Sequence, residues 1–178
     1  MVAIEQNNET QRTEKSGRSG ALPWIGEGFY STNINIDNID GKYATLVFDG
    51  AMAEPTVTVN GQRAGYWAYG YNTFRLDVTS LLRAGDNRID VHLKNLEESS
   101  RWYPGAGLYR PVKLVMSPKI SIDPWGTFVR TLSVGEDIAK IAVATRLQGF
   151  QGQEGLAMEV SIMQPNGSIE RACHASVD

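Results

Sequence analysis

The residues of this chain that could do chemistry are few, and their spacing argues against most reactions. Glu97-Glu98 offers two carboxylates, but a carboxylate pair divides acid/base and nucleophile roles only when held about 5–5.5 Å apart. Neighbours on an extended chain point to opposite faces, so this pair reads as solvated loop surface. No G-x-S-x-G elbow presents a serine nucleophile. The two histidines, His92 and His174, sit far apart, and Cys173-His174 diverges on a strand instead of closing around zinc. Gly105-Ala106-Gly107 is too short for a dinucleotide fingerprint and precedes a strand, not a helix. The sequence therefore carries no catalytic set, no metal site and no cofactor site.

What remains is suited to binding. Residues 99–112, SSRWYPGAGLYRPV, crowd two Arg, a Trp, two Tyr, two Pro and two Gly into one stretch. A second group, Tyr66, Trp67, Tyr69 and Tyr71, falls in one loop, and Trp24, Phe29 and Tyr30 make a third. Bulky rings in a loop need a surface to lie against: the domain's own core, a neighbouring domain or a ligand. Rings flanked by planar hydrogen-bonding groups suit the C–H faces and hydroxyl rims of sugars. The period-two pattern turns Tyr109 inward, and capping the end of a core competes with ligand binding for Tyr66, Trp67, Tyr69 and Tyr71.

Strands must position these loops. Alternation runs through most of the chain after residue 28. FYSTNINI places Tyr30, Thr32, Ile34 and Ile36 on one face, and KYATLVFD buries Ala44, Leu46 and Phe48. Val57 and Val59 alternate into Asn60-Gly61, the signature of a type I′ hairpin. TFRLDV buries Phe74, Leu76 and Val78, and RIDVHLK buries Ile89, Val91 and Leu93. Between them, TSLLRAGDN predicts one helical turn with Thr79 as cap and Gly85 as terminator. YRPVKLV is a further strand. After Ser117-Pro118 the pattern restarts with KISIDPW, TFVRTLSV, KIAVATRL, LAMEVSIM and SIERACHASV, the last two joined through Pro165-Asn166-Gly167. No amphipathic helix of three turns appears, so the class is all-β.

The totals agree with a soluble globular protein. The chain has 178 residues, 42% hydrophobic and 21% charged, with a net charge of −3. An acidic balance with scattered Lys and Arg excludes a nucleic-acid partner and an anionic membrane surface. One Cys forms no internal disulfide. No apolar run spans a bilayer, and the polar first twenty residues have no signal-peptide centre.

LPWIGEGFY, the run from LVFDG through VTVNGQRAGYWAYGYNTFRLDVTS to RIDVHL, SSRWYPGAGLYRPVKLV and WGTFVRT resemble, in order, the N-terminal part of glycoside hydrolase family 2, the β-galactosidase and β-glucuronidase group. The resemblance takes in most residues from 21 to 134. It implies a flexible arm over residues 1–20, a jelly-roll (galactose-binding-like) sugar-binding sandwich over 21–117, and part of an immunoglobulin-like β-sandwich over 118–178. The family's catalytic (β/α)₈ barrel, which holds both its glutamates, has no counterpart here. The implied identity is a non-catalytic N-terminal fragment of a retaining β-galactosidase-type glycosidase, inactive alone. Carbohydrate and the barrel of the same polypeptide are its implied partners, and a homo-oligomer stays open.

The family's loop before G-L-Y-R reaches toward the barrel's active-site mouth, and one branch places a sugar-contacting aspartate where Arg101 stands. An arginine donates but does not accept hydroxyl protons. Ser100, Arg101, Trp102 and Tyr103 are therefore the sugar-facing or barrel-docking residues, with both roles open. Tyr66, Trp67, Tyr69 and Tyr71 form a secondary aromatic patch. Gly105 and Gly107 permit the tight return of the loop, and Arg110 ties its base by hydrogen bonds. A free-standing carbohydrate-binding module is the alternative reading, ahead of a structural interaction sandwich. The compartment stays open, a periplasmic or secreted parent enzyme being compatible with the absence of a leader in this stretch.

Overall fold

The computed structural model describes residues 26–95, 106–152 and 155–176. It divides into two compact units, Met1–Pro118 and Lys119–Asp178. The first unit contains β1 (Gly26–Ile36), β2 (Lys42–Phe48), β3 (Thr56–Val59), β4 (Gln62–Tyr66), β5 (Phe74–Asp77), β6 (Gly85–Asn95) and β7 (Val112–Pro118). These strands form two antiparallel sheets, ordered β1-β6-β3-β4 and β5-β2-β7.

Alternation makes this a sandwich. Ala44, Leu46 and Phe48 of β2 face Val57 and Val59 of β3 and Ile89, Val91 and Leu93 of β6 in a single buried cluster. Phe48 stacks on Phe74 with ring centroids 4.6 Å apart. Asn60 and Gly61 both have positive φ, 52° and 79°, as a type I′ turn requires, so β3 and β4 pair as the dipeptide predicts.

The stretch after β5 differs from its expected form. Residues 79–81 make one turn without a helix: the Leu81 and Leu82 amides both donate to the Val78 carbonyl. Thr79 is not its cap. Asp77 Oδ1 accepts from the Thr79 amide, while Thr79 Oγ1 accepts from the Ala44 amide and so ties the turn to β2. Aspartate competes well for a nearby amide, which is why the cap lies two residues earlier. Gly85, at φ 87°, opens β6.

Sequence reading missed Asn87, whose side chain is 1% exposed. Its Nδ2 donates to the Arg83 and Gly85 carbonyls, and its Oδ1 accepts from the Arg83 amide and Asn60 Nδ2. All four hydrogen-bonding positions of the amide are thereby filled, joining the 79–85 turn to the β3–β4 hairpin.

Along one side the two sheets stand open. There β1 and β7 are edge strands, and a cavity of about 270 Å³ reaches the interior between Tyr30, Thr32 and Ile34 of β1 and Leu108, Val112 and Leu114. The inner face of β1 before Ile36 is consequently half-buried or exposed, although its alternation is that of a core strand.

The second unit contains β8 (Ser121–Val134), β9 (Ala139–Gln148), β10 (Ala157–Met163) and β11 (Ile169–Ser176), paired as two antiparallel hairpins, β8-β9 and β10-β11. The two strands expected over KISIDPW and TFVRTLSV are one, interrupted by a register shift between Ile122 and Thr127. Trp125 has φ 55°, and a Cβ on Gly126 would lie 2.6 Å from the Asp123 carbonyl oxygen, so the bulge needs glycine there. The turn over Pro165-Asn166-Gly167 closes β10 onto β11 as expected, with the Gln164 amide donating to the Ser168 carbonyl. No helix among the described residues is long and apolar enough to cross a membrane.

Candidate functional site

Three loops of the first unit converge at one end of the sandwich: residues 49–55 after β2, 67–73 after β4, and 106–111 before β7. Gly107 bridges to Met52 through two backbone hydrogen bonds of 3.0 and 2.8 Å. Its φ of 107° lies in the region that favours glycine, and a Cβ there would sit 2.6 Å from the Tyr30 hydroxyl. The Lys94 amide donates to the Ala53 carbonyl, so the end of β6 and the return at Gly107 are both tied to the 49–55 loop. The residues between them, including the predicted contact residues Ser100, Arg101, Trp102 and Tyr103, lie outside the described residues.

Tyr109 links the three loops. Its hydroxyl donates to the Gly70 carbonyl at 2.8 Å, and its ring lies where a side chain on Gly50 would be, 2.6 Å from a Cβ built there. The Arg110 guanidinium lies over that ring, 5.4 Å from its centroid, and reaches the Asp49 carbonyl at 3.5 Å. The Asp49 side chain pairs with Lys113 at 2.6 Å, and its amide donates to the Pro111 carbonyl. Arg110 thus braces the loop base, as the sequence implies. Tyr109 does not follow its expected course, since β7 begins at Val112 and the ring is 41% exposed. Pro111 has no amide to extend the ladder, and the hydroxyl finds its acceptor across the loop.

The second aromatic group divides. Trp67 packs on the core, stacked on Phe74 at 5.5 Å, with Nε1 donating to Asn72 Oδ1. Tyr69 and Tyr71 stay exposed beside each other, centroids 5.6 Å apart, on either side of the Gly70 that holds Tyr109. Tyr66 belongs to β4 and not to the loop. One ring therefore caps the core, and the other three are exposed, Tyr69 and Tyr71 of them in the loop. The third group separates as well: Phe29 stacks on His92 on the outer face of its sheet, whereas Tyr30 turns toward Gly107 and the interior, because successive strand residues alternate. Trp24 lies outside the described residues.

No group of three His, Cys, Asp or Glu is placed to hold a metal ion among the described residues. The arrangement there is a braced loop base with flanking rings.

Residues 22–118 match the model of the glycosyl hydrolases family 2 sugar-binding domain, more than half of the chain. The chain belongs to glycosyl hydrolase family 2. It is 38% identical over 148 residues to the β-galactosidase BoGH2A of Bacteroides ovatus, and 32% identical over 155 residues to a β-glucuronidase candidate of Formosa agariphila. These alignments take in 82% and 86% of this chain but 17% and 15% of the relatives. The chain thus spans less than a fifth of the length of either. Among solved structures it resembles a family 2 member from Bacteroides cellulosilyticus (TM-score 0.78, 31% identity, 86% of this chain and 20% of the other). It also resembles a β-glycosidase from Bacteroides vulgatus (TM-score 0.79, 26% identity, 95% and 22%).

Within this family 2 domain, two features of the loop base escaped sequence reading: the Gly50–Tyr109–Gly70 stack and the Met52–Gly107 bridge. Each joins residues tens of positions apart, and local pattern carries no signal for such pairs.

Proposed function

We propose that this chain is the non-catalytic N-terminal part of a family 2 glycosidase acting on β-linked saccharides, with the reactive carboxylates on a barrel elsewhere in the same polypeptide. The observation that carries this reading is the match over residues 22–118 together with coverage of only 15–17% of the curated relatives. β-Galactoside is the preferred substrate class, because the relative named as a β-galactosidase has the higher identity of the two.

Within that enzyme, the segment holding Ser100, Arg101, Trp102 and Tyr103 extends from the braced end of the sandwich to the saccharide site. Trp102 supplies a ring face for the sugar, and Arg101 donates to a hydroxyl or pairs with an acidic barrel residue. Tyr69 and Tyr71, both exposed, offer further ring surface for the saccharide. The rigid base supports the role, since a side chain that positions substrate must itself be held within a fraction of an ångström.

The test is hydrolysis of nitrophenyl β-galactoside and β-glucuronide by the 178-residue chain and by the full-length enzyme carrying it. The chain alone should release no nitrophenol, and Trp102→Ala in the full enzyme should raise KM about tenfold. Turnover by the isolated chain, or an unchanged KM, would overturn the assignment.

A further inference from the structure

The outer face of the four-stranded sheet is not explained by the fold. The core lies on the other side, beneath Ile89, Val91 and Leu93 of β6. On the outer side the register sets two rows across three strands. Phe29, His92 and Thr56 are cross-strand partners in one, and Ser31, Asp90 and Thr58 in the next. Strand geometry puts members of a row about 5 Å apart and the rows about 7 Å apart. These residues line a cavity of about 390 Å³, within the usual size of small-ligand sites.

The chemistry of the rows is specific. Phe29 is 75% exposed, yet its ring is held parallel to His92, centroids 4.4 Å apart and planes within 3°. His92 is itself fixed by a 2.8 Å hydrogen bond between Nε2 and Glu27 Oε2. One face of Phe29 is thus used and the other is offered flat to solvent. Beside it, Arg88 Nε lies 2.9 and 3.0 Å from the two Asp90 oxygens, and Ser31 is the cross-strand partner of Asp90. Two carboxylate oxygens have about four acceptor positions, so Asp90 retains room for a ligand hydroxyl, and the outer guanidinium nitrogens of Arg88 remain donors.

We propose that this face is a binding cleft for a neutral pyranose oligosaccharide. Phe29, at the sheet edge, takes the C–H face of one ring on the side away from His92, while Asp90, Arg88, Thr56 and Thr58 take hydroxyls of the rings that follow it across the strands. Neutral sugar is favoured over uronic acid because both flanking cations already have acidic company. Arg88 pairs with Asp90, and Lys94 lies 4.0 Å from Glu27. The proposal goes beyond the enzyme assignment and stands without it, since it needs no residue outside the first unit.

The experiment is a titration of the ¹⁵N-labelled 178-residue chain, followed by backbone amide shifts, with cellotetraose, galactotetraose and trigalacturonate. Saturable shifts at Ser31, Thr58, Asp90 and His92 with a neutral tetrasaccharide are expected. They should weaken about tenfold in Phe29→Ala and stay unchanged in Glu136→Gln, an exposed turn position of the second unit. Thr58→Val, close to isosteric on an outer face, serves the same purpose should Phe29→Ala lose the native spectrum. No shift at these amides with millimolar sugar would overturn the proposal. So would shifts confined to other residues, equal response to trigalacturonate, or affinity unchanged in both cleft variants.

Discussion

The two units are built from equally regular strands and bury very different amounts of them. In the first, Ala44, Phe48, Val57, Val59 and Val78 are fully buried because two sheets face each other. In the second, Trp125 is 75% exposed and Phe128 64%, and Val129, Leu132, Val134 and Ile138 are exposed on the same hairpin. Alternation specifies that a strand has an apolar face; a second layer decides whether that face is covered. The sequence of the second unit carries the first kind of information as clearly as that of the first unit.

The sharpest way to break this comparison is to truncate one aromatic residue in each unit. Phe48→Ala should cost about 3–5 kcal/mol, the usual range for a fully buried ring, and leave the first unit unfolded or close to it. Phe128→Ala should stay within about 0.5 kcal/mol, as an exposed position does. Chemical denaturation followed by circular dichroism measures both. Similar losses would mean that the second unit has a covered core in solution.

Smaller, and aimed at the polar side of the first unit, is Asn87→Ala. It leaves the Arg83 and Gly85 carbonyls and the Arg83 amide without their partner, so a loss of about 2–3 kcal/mol is expected in the same denaturation experiment. Asn87→Asp should recover little, since a carboxylate accepts but does not donate to the two carbonyls.

Asn87 also shows where sequence reading stops. The strands of the first unit and the Asn60-Gly61 turn were legible, because alternation and a turn dipeptide act through local geometry. The partnership of Asn60 with Asn87 was not, since an Asn between Asp86 and Arg88 looks like any loop residue until the turn folds over it. The candidate site divides the same way. Gly107 and Arg110 were readable as a tight return and its brace, whereas the inward Trp67 and the Tyr109 tether depend on loops that meet only in three dimensions. Phe29 was seen as a ring beside Tyr30, but alternation sends the two to opposite faces, and the row it shares with His92 follows from a register no local signal fixes.

The loop base should yield less energy and more motion. Tyr109→Phe removes the donor to the Gly70 carbonyl at a cost of about 1 kcal/mol, with faster amide exchange in residues 67–73 and 106–110. Unchanged exchange there would mean that the Met52–Gly107 bridge alone holds the loops together.

The smallest effect concerns pH and separates the outer sheet face from the core beneath it. Hydrogen bonds from Ser31 and then Arg88, aided by the Arg88 charge, hold the Asp90 carboxyl below its ordinary value of 3.8. A carboxylate with a depressed pKa in the folded state contributes stability above its unfolded value and loses it as pH falls through the lowered folded value. The contribution of Asp90 is therefore complete near neutrality and disappears only below about pH 4. Asp90 is one-third exposed, so the whole effect is modest and weakens with salt. Denaturant midpoints of the parent chain and Asp90→Asn, compared at pH 7 and stepwise down to pH 3, should differ most at pH 7 and draw together as pH falls below 3.8. A difference that persists undiminished at pH 3 would show that Asp90 acts on the sheet through packing and not through its charge, and the cleft would then lose the poised acceptor on which its sugar contacts depend.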